Sequence, residues 1–157
     1  MKKQKNNEKD AEKIYKDILI NKIYPLIGNS ITYMTQLQQV GRKLFKTKFK
    51  GVFASDKIPR LTDIAPYCIL NLDKSNEKGS HWIALIKLKD TNDSIIYDSF
   101  GRDYKAIIPN VKLSGNGRIR NTDRDAEQKI NEDDCGARSL AFICMFDKYG
   151  KDLSLLI

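Results

Sequence analysis

The pattern of apolar and polar residues runs from helical to strand-like and back to helical along the chain. Ile14, Ile18, Leu19 and Ile23 recur at helical spacing, which predicts a first helix to about Tyr24, ended by Pro25, whose ring nitrogen cannot donate to the helix. A second helix is marked by Leu37, Val40, Gly41, Leu44 and Phe45 along one face, with Thr35 and Gln38 in capping-box spacing at its start. Residues 1–10 carry no apolar side chain after Met1. They read as a flexible basic tail ahead of one domain spanning 11–157.

Past a segment punctuated by Gly51, Pro59 and Pro66, β-like runs occupy residues 67–72, 82–88 and 94–98. The short polar connections between them, 73–80 and 89–93, predict antiparallel neighbours. A weak fourth strand is expected at 118–121, after the turn-forming Ser114-Gly115-Asn116-Gly117. From Cys135 onward Ala137, Leu140, Ala141, Ile143, Cys144, Met145 and Phe146 make a helix apolar nearly all round, and such a helix belongs at the centre of a fold. The expected class is α+β, with a small mixed sheet packed on the helix that starts at Cys135 and extra helices at the N-terminus.

Composition narrows the function. With 157 residues, 41% hydrophobic and 31% charged, the chain suits one globular domain and excludes fibrous or largely disordered classes. Its longest apolar runs, 82–86 and 139–146, fall far short of the roughly 20 residues of a membrane span. No apolar stretch follows the polar N-terminus, so neither secretion nor a membrane location is expected. Cys68, Cys135 and Cys144 cannot all pair with one another, which suits a reducing compartment. One histidine and no CxxC spacing leave no metal site to expect. The net charge of +8 is uneven. Arg42, Lys43, Lys46, Lys48 and Lys50, with Lys57 and Arg60, form a candidate nucleic-acid face. Residues 123–134 are acidic and predict a second surface of opposite sign.

A cysteine at the start of a buried helix sits where unpaired N–H groups and the positive end of the helix dipole favour a thiolate. Cys135 is therefore either the candidate nucleophile or a small buried hydrophobe, and Gly136 beside it lets the backbone be approached closely, as attack on a substrate carbonyl requires. Cys144 and Cys68 read as core residues. His81 is the only imidazole and so the only candidate histidine base. Asp98, at the end of the next strand in Tyr97-Asp98-Ser99-Phe100-Gly101, can orient it, or can be a turn acid preparing the bend at Gly101. Gln128 can supply a side-chain amide to an oxyanion, with the backbone N–H of Cys135 as second donor, or can be a solvated loop glutamine. The acids Glu132, Asp133 and Asp134 place negative charge directly ahead of the thiol.

His81-Trp82, Asp98-Ser99-Phe100-Gly101, Gln128 and Cys135-Gly136, in that order, resemble the adenovirus-type maturation proteases and their relatives among the ubiquitin-like-protein proteases. The likeness spans about residues 51–146 and is densest in Gly79-Ser80-His81-Trp82-Ile83-Ala84 and Asp134-Cys135-Gly136. Gly51-Val52-Phe53-Ala54-Ser55-Asp56 is similar to a segment of virophage and Polinton-type capsid proteases. The resemblance implies a papain-like, ubiquitin-like-protease fold and a viral cysteine endopeptidase with a Cys135, His81, Asp98 triad and a Gln128 oxyanion hole. Trp82 and Gly136 would line a narrow cleft for Gly-Gly-like sites. Implied substrates are capsid or core precursors, cleaved by a monomer in the virion and at the assembly site in host cytoplasm or nucleus. Viral DNA on the basic face, or a peptide, is the implied activator, and no other cofactor is required. The alternative on the same scaffold is an isopeptidase or acyltransferase acting on ubiquitin- or SUMO-like tails.

Overall fold

The computed structural model describes residues 2–73, 81–108, 117–123 and 125–157. Helix α1 (Lys2–Ile18) opens the chain and buries Ala11 and Tyr15. Residues 2–10, expected as a tail, form its first turns, with side chains that are mostly exposed, so burial begins at Ala11. The helix does not end at Pro25. A widened turn, Leu19–Ile23, lets the Tyr24 N–H reach the Leu19 carbonyl, and the chain restarts as α2 (Tyr24–Ile27). Pro25 then sits in a first turn, where its missing N–H removes no bond. Gly28, at φ 82°, closes this segment in a conformation that side chains resist.

Helix α3 (Met34–Phe45) buries Leu37, Gly41 and Phe45, the face expected from its spacing. Its cap lies ahead of the expected Thr35 and Gln38. The extended Tyr33 donates its N–H to Gln36 Oε1 at 2.9 Å. A single 3-10 turn, Lys46–Lys48, leads into β1 (Phe49–Ala54), a strand that the sequence pattern missed. Lys50 and Gly51 interrupt its apolar run, and the register slips between Phe49 and Gly51. The remaining strands are β2 (Tyr67–Asn71), β3 (Trp82–Lys87), β4 (Ser94–Tyr97) and β5 (Ile119–Asn121), with α4 (Tyr104–Ile107) before β5. The turns expected at Lys78-Gly79-Ser80 and Ser114-Gly115-Asn116 lie outside the described residues.

Strand order in the sheet is β1-β2-β3-β4-β5. The inner pairs β2/β3 and β3/β4 are antiparallel, as the short connections predict, whereas β1/β2 and β4/β5 are parallel. The sheet is therefore mixed, within an α+β arrangement. Helix α5 (Cys135–Tyr149) crosses it on β3, and α6 (Lys151–Ser154) follows. Alternate residues serve opposite faces of the sheet. Tyr67, Ile69, Ala84, Ile86, Ile95 and Tyr97 pack with α1, α3 and α5. Cys68, Leu70, Ile83, Leu85 and Ile96 pack with Leu61, Ile108 and α4. Burial on both faces explains why these strands read as continuous apolar runs. Cys68 and Cys144 are buried and unpaired.

Phe142 stacks on Tyr97 with ring centroids 4.4 Å apart and planes 3° from parallel, joining α5 to the strand that ends at Asp98. Replacing it with alanine leaves a cavity under that strand. Phe142→Ala is expected to cost about 3–5 kcal/mol in urea unfolding; a loss below about 1 kcal/mol would remove this contact from the core.

Candidate active site

The antiparallel register places the first two candidates. Ala84 lies opposite Tyr97, and carrying that register past the strand ends sets His81 against Phe100 and brings Asp98 alongside. The side chains follow: His81 Nε2 lies 2.6 Å from Asp98 Oδ1, and the imidazole stacks on Phe100 at 4.9 Å between centroids. The Arg102 guanidinium lies over the Phe100 ring at 5.3 Å and donates from Nε to Asp98 Oδ2 at 2.7 Å.

Asp98 makes turn bonds and a side-chain bond to His81 at once. Its carbonyl accepts the Gly101 N–H at 2.8 Å and its Oδ1 accepts the Phe100 N–H at 3.1 Å, which bends the chain at Gly101, φ 69°. The same carboxylate orients His81. Burial alone would raise its pKa, but the bonds from His81 and Arg102 outweigh burial and hold it down to about 2. Burial pulls the His81 pKa downward, and the hydrogen bond to Asp98 together with the influence of the nearby Cys135 reverses this and leaves it raised. With Nε2 committed to Asp98, Nδ1 is the ring nitrogen left for the thiol.

Cys135 opens α5, and Asp134 is its N-cap residue. The Asp134 carboxylate makes no capping bond. It accepts from the Tyr24 hydroxyl and, at 2.9 Å, from Arg138 Nε. The first N–H groups of the helix are thereby left uncapped by the residue best placed to cap them, and they keep their capacity for an anion. The three acids ahead of Cys135 differ in fate. Asp134 is buried and paired with Arg138, Glu132 is paired with Arg138 at 3.3 Å, and Asp133 is exposed. Charge expected to oppose a thiolate is thus largely balanced, and the acidic surface expected over 123–134 is partly interior. Burial and the neighbouring Asp125 raise the pKa of Glu127 to about 9, so it holds a proton at neutral pH.

Gln128 is buried between the two halves of the site. Its backbone N–H donates to the Ser99 carbonyl at 3.0 Å, and its Oε1 accepts from Ser99 Oγ at 2.6 Å. Its Nε2 donates to the Glu132 carbonyl. One end is therefore fastened to the residue after Asp98 and the other to the loop that enters Cys135. Trp82 is buried, with its indole N–H on the Thr32 carbonyl at 3.2 Å. Gly136 is a close approach: a Cβ there would lie 2.1 Å from Thr32 Oγ1.

Arg42, Lys43, Lys46, Lys48 and Lys50 are all exposed along the end of α3 and the start of β1, with Lys48 paired to Asp147 at 3.0 Å. Among the described residues, one carboxylate cluster has metal-ligand spacing: Glu12, Asp125 and Glu127, with oxygens within 4.8 Å of one another.

The sequence reading passed over Arg138, Ser99, Arg102, Tyr24 and Thr32. Arg138 had a legible signal, a cation four residues after Asp134 in the apolar first half of the helix. The others had none, because their partners lie far away in the chain. The chain matches no model of a known protein family and no curated protein.

The single histidine makes the His81–Asp98 coupling measurable by NMR. The imidazole is expected to titrate above pH 6.5, and in Asp98→Asn, where burial remains and the carboxylate is gone, to titrate lower; an unchanged midpoint would rule out the coupling. Asp98 contributes stability that is present above the ordinary carboxylate range and lost as pH falls through about 2. Urea midpoints measured from about pH 5 downward should therefore fall less steeply in Asp98→Asn.

Proposed function

We propose that the chain is a cysteine endopeptidase with Cys135 as nucleophile, His81 as base and acid, Asp98 as the orienting carboxylate and Gln128 in the oxyanion hole. The observation that carries this reading is Cys135 at the uncapped start of α5, electrostatically coupled to the His81 imidazole, whose Nε2 is held by a buried carboxylate. A free cysteine buried for packing alone needs no such partner.

In the proposed cycle His81 Nδ1 takes the thiol proton, and the sulfur attacks the scissile carbonyl, forming the C–S bond. The carbonyl oxygen becomes an oxyanion, received by the Cys135 N–H and the second Nε2 proton of Gln128, the first being used by Glu132. Collapse breaks the C–N bond, and His81 gives its proton to the leaving amine. Water, activated by His81, then hydrolyses the thioester and restores the thiol. Asp98 holds the imidazole in the tautomer that both transfers need. Gly136 and Trp82 flank Cys135 and His81 in sequence and would form the walls of a cleft narrow enough to favour glycine in the substrate.

The papain-like reading of the fold is supported by a nucleophile at the head of the central helix and a histidine and acid on adjacent strand ends. The ordered motifs around His81, Asp98, Gln128 and Cys135 support capsid or core precursors of a virus as substrates. The exposed stretch from Arg42 to Lys50 would hold viral DNA as a partner or activator.

Incubation of Gly-Gly-containing precursor proteins with wild type and variants, read by mass spectrometry, tests the reading. Cys135→Ala should abolish cleavage and His81→Ala should nearly do so, while Gln128→Ala should lower kcat about 10²–10³-fold. Cleavage that persists in Cys135→Ala would overturn the mechanism, and transfer to an added lysine amine in place of hydrolysis would move the reading to an acyltransferase.

For the basic face, fluorescence anisotropy with duplex DNA should give binding that weakens steeply with salt and is reduced by Lys43→Glu with Lys46→Glu. Salt-independent binding would exclude that surface.

A further inference from the structure

The N-terminal arm reaches the site at more than one place. Tyr15 and Tyr97 share a buried hydroxyl–hydroxyl bond of 2.6 Å, and Tyr97 precedes Asp98. The Tyr24 hydroxyl donates to Asp134, which precedes Cys135. The Thr32 carbonyl accepts the Trp82 indole N–H, and Trp82 follows His81. Core packing by Ala11, Tyr15, Leu19 and Ile23 accounts for the arm lying on α5. It does not require polar contacts to end beside three of the four proposed catalytic residues.

We propose that this arm is the positioning device of the active site, and that Tyr24 is the positioning residue through which it controls the charge beside Cys135. The inference rests on Cys135 being the nucleophile. Asp134 is the group through which Tyr24 acts. Its carboxylate is buried one residue ahead of the thiol, and an unsatisfied anion there would oppose a thiolate at the helix start. Arg138 occupies Oδ1 and Tyr24 occupies Oδ2. The two donors also turn the carboxylate away from the helix N–H groups, which it would otherwise cap, and leave them for the thiolate and the oxyanion. Burial and the Asp134 contact raise the Tyr24 pKa, so the phenol remains a donor across the working range. The groups facing Asp134 are thus Tyr24 from the arm and Arg138 from α5, with Glu132 on the far side of the guanidinium. Arg138 also donates to the Glu127 carbonyl at 2.6 Å, which ties this cluster to the Gln128 loop.

Because Ala11, Tyr15, Leu19 and Ile23 are core residues, deleting the arm would unfold the protein, and the test uses a single hydroxyl instead. The rate of iodoacetamide alkylation at Cys135, read from its own peptide by mass spectrometry between about pH 5 and 9, needs no substrate. Tyr24→Phe is expected to slow alkylation at neutral pH about five- to tenfold and to move the acid limb of the profile to higher pH, because the Asp134 charge is less satisfied. The thermal midpoint should fall by several degrees, with the variant still folded at the assay temperature. In Asp134→Asn the same Tyr24→Phe change should have no effect on rate or profile, since the carboxylate it serves is gone. A Tyr24→Phe rate and profile within twofold of wild type would overturn the proposal, as would an equal loss in the Asp134→Asn background. His81→Ala separates the two levels. If it leaves Cys135 alkylation unchanged, the nucleophile reading itself fails; if it alters alkylation while Tyr24→Phe does not, only the positioning role fails.

Discussion

A guanidinium in the first turn of an otherwise apolar helix must find acceptors in the interior, and the requirement of Arg138 for them organises one side of the site. It takes the Asp134 carboxylate, the Glu127 carbonyl and the Glu132 carboxylate. Its charge is held firmly, because these bonds outweigh the desolvation that opposes it. Breaking a buried pair of this kind by removing one partner costs about 3–5 kcal/mol. The chain entering α5 is consequently fixed over residues 127–134, and with it the approach of Gln128 to Cys135. Acids that would otherwise crowd the thiol become ligands of a cation one turn along the helix.

The other side of the site depends on strand register. Pairing of β3 with β4 sets the ends of the two strands together, so His81 and Asp98 meet without any loop having to carry them. A stack of imidazole, Phe100 and Arg102 covers the pair, and Arg102 returns to the same carboxylate. A guanidinium, an imidazole and a backbone N–H thus share Asp98, which keeps it ionised in a buried place. The tight bend through Gly101 both positions the acid and delivers Ser99 to Gln128. The two sides are joined there, through a serine that carries no chemistry of its own in the proposed cycle.

Close contacts hold the N-terminal segment against both sides. Thr32 meets the indole of Trp82 and abuts Gly136, so the only side chain that fits at position 136 is a hydrogen. The glycine after the nucleophile therefore has a packing role independent of any substrate. Burial of the sheet on both faces has a similar consequence. The strands cannot shift register without moving one apolar set out of each layer, and the geometry at their ends inherits that rigidity.

Much of this was legible in the chain itself. Helical spacing fixed the faces of α1 and α3, the all-round apolar character of α5 placed it at the centre, the short connections implied the antiparallel ladder, and His81, Asp98, Gln128 and Cys135 could be named because their chemistry is scarce or their motif ordered. Local signals failed where neighbours overrode them. Pro25 did not stop the first helix because a widened turn precedes it, β1 escaped notice because Lys50 and Gly51 break its alternation, and the cap of α3 moved to Tyr33 and Gln36. The residues that hold the site in shape were not legible at all. Tyr24 and Asp134 are separated by 110 positions, and Trp82 and Thr32 by 50. Sequence determines periodicity and the inventory of reactive groups, because both are local properties of the chain. Which hydroxyl, carbonyl or guanidinium satisfies a buried charge is settled only when distant segments pack, because the cost of leaving that charge unpaired arises only once water has been excluded.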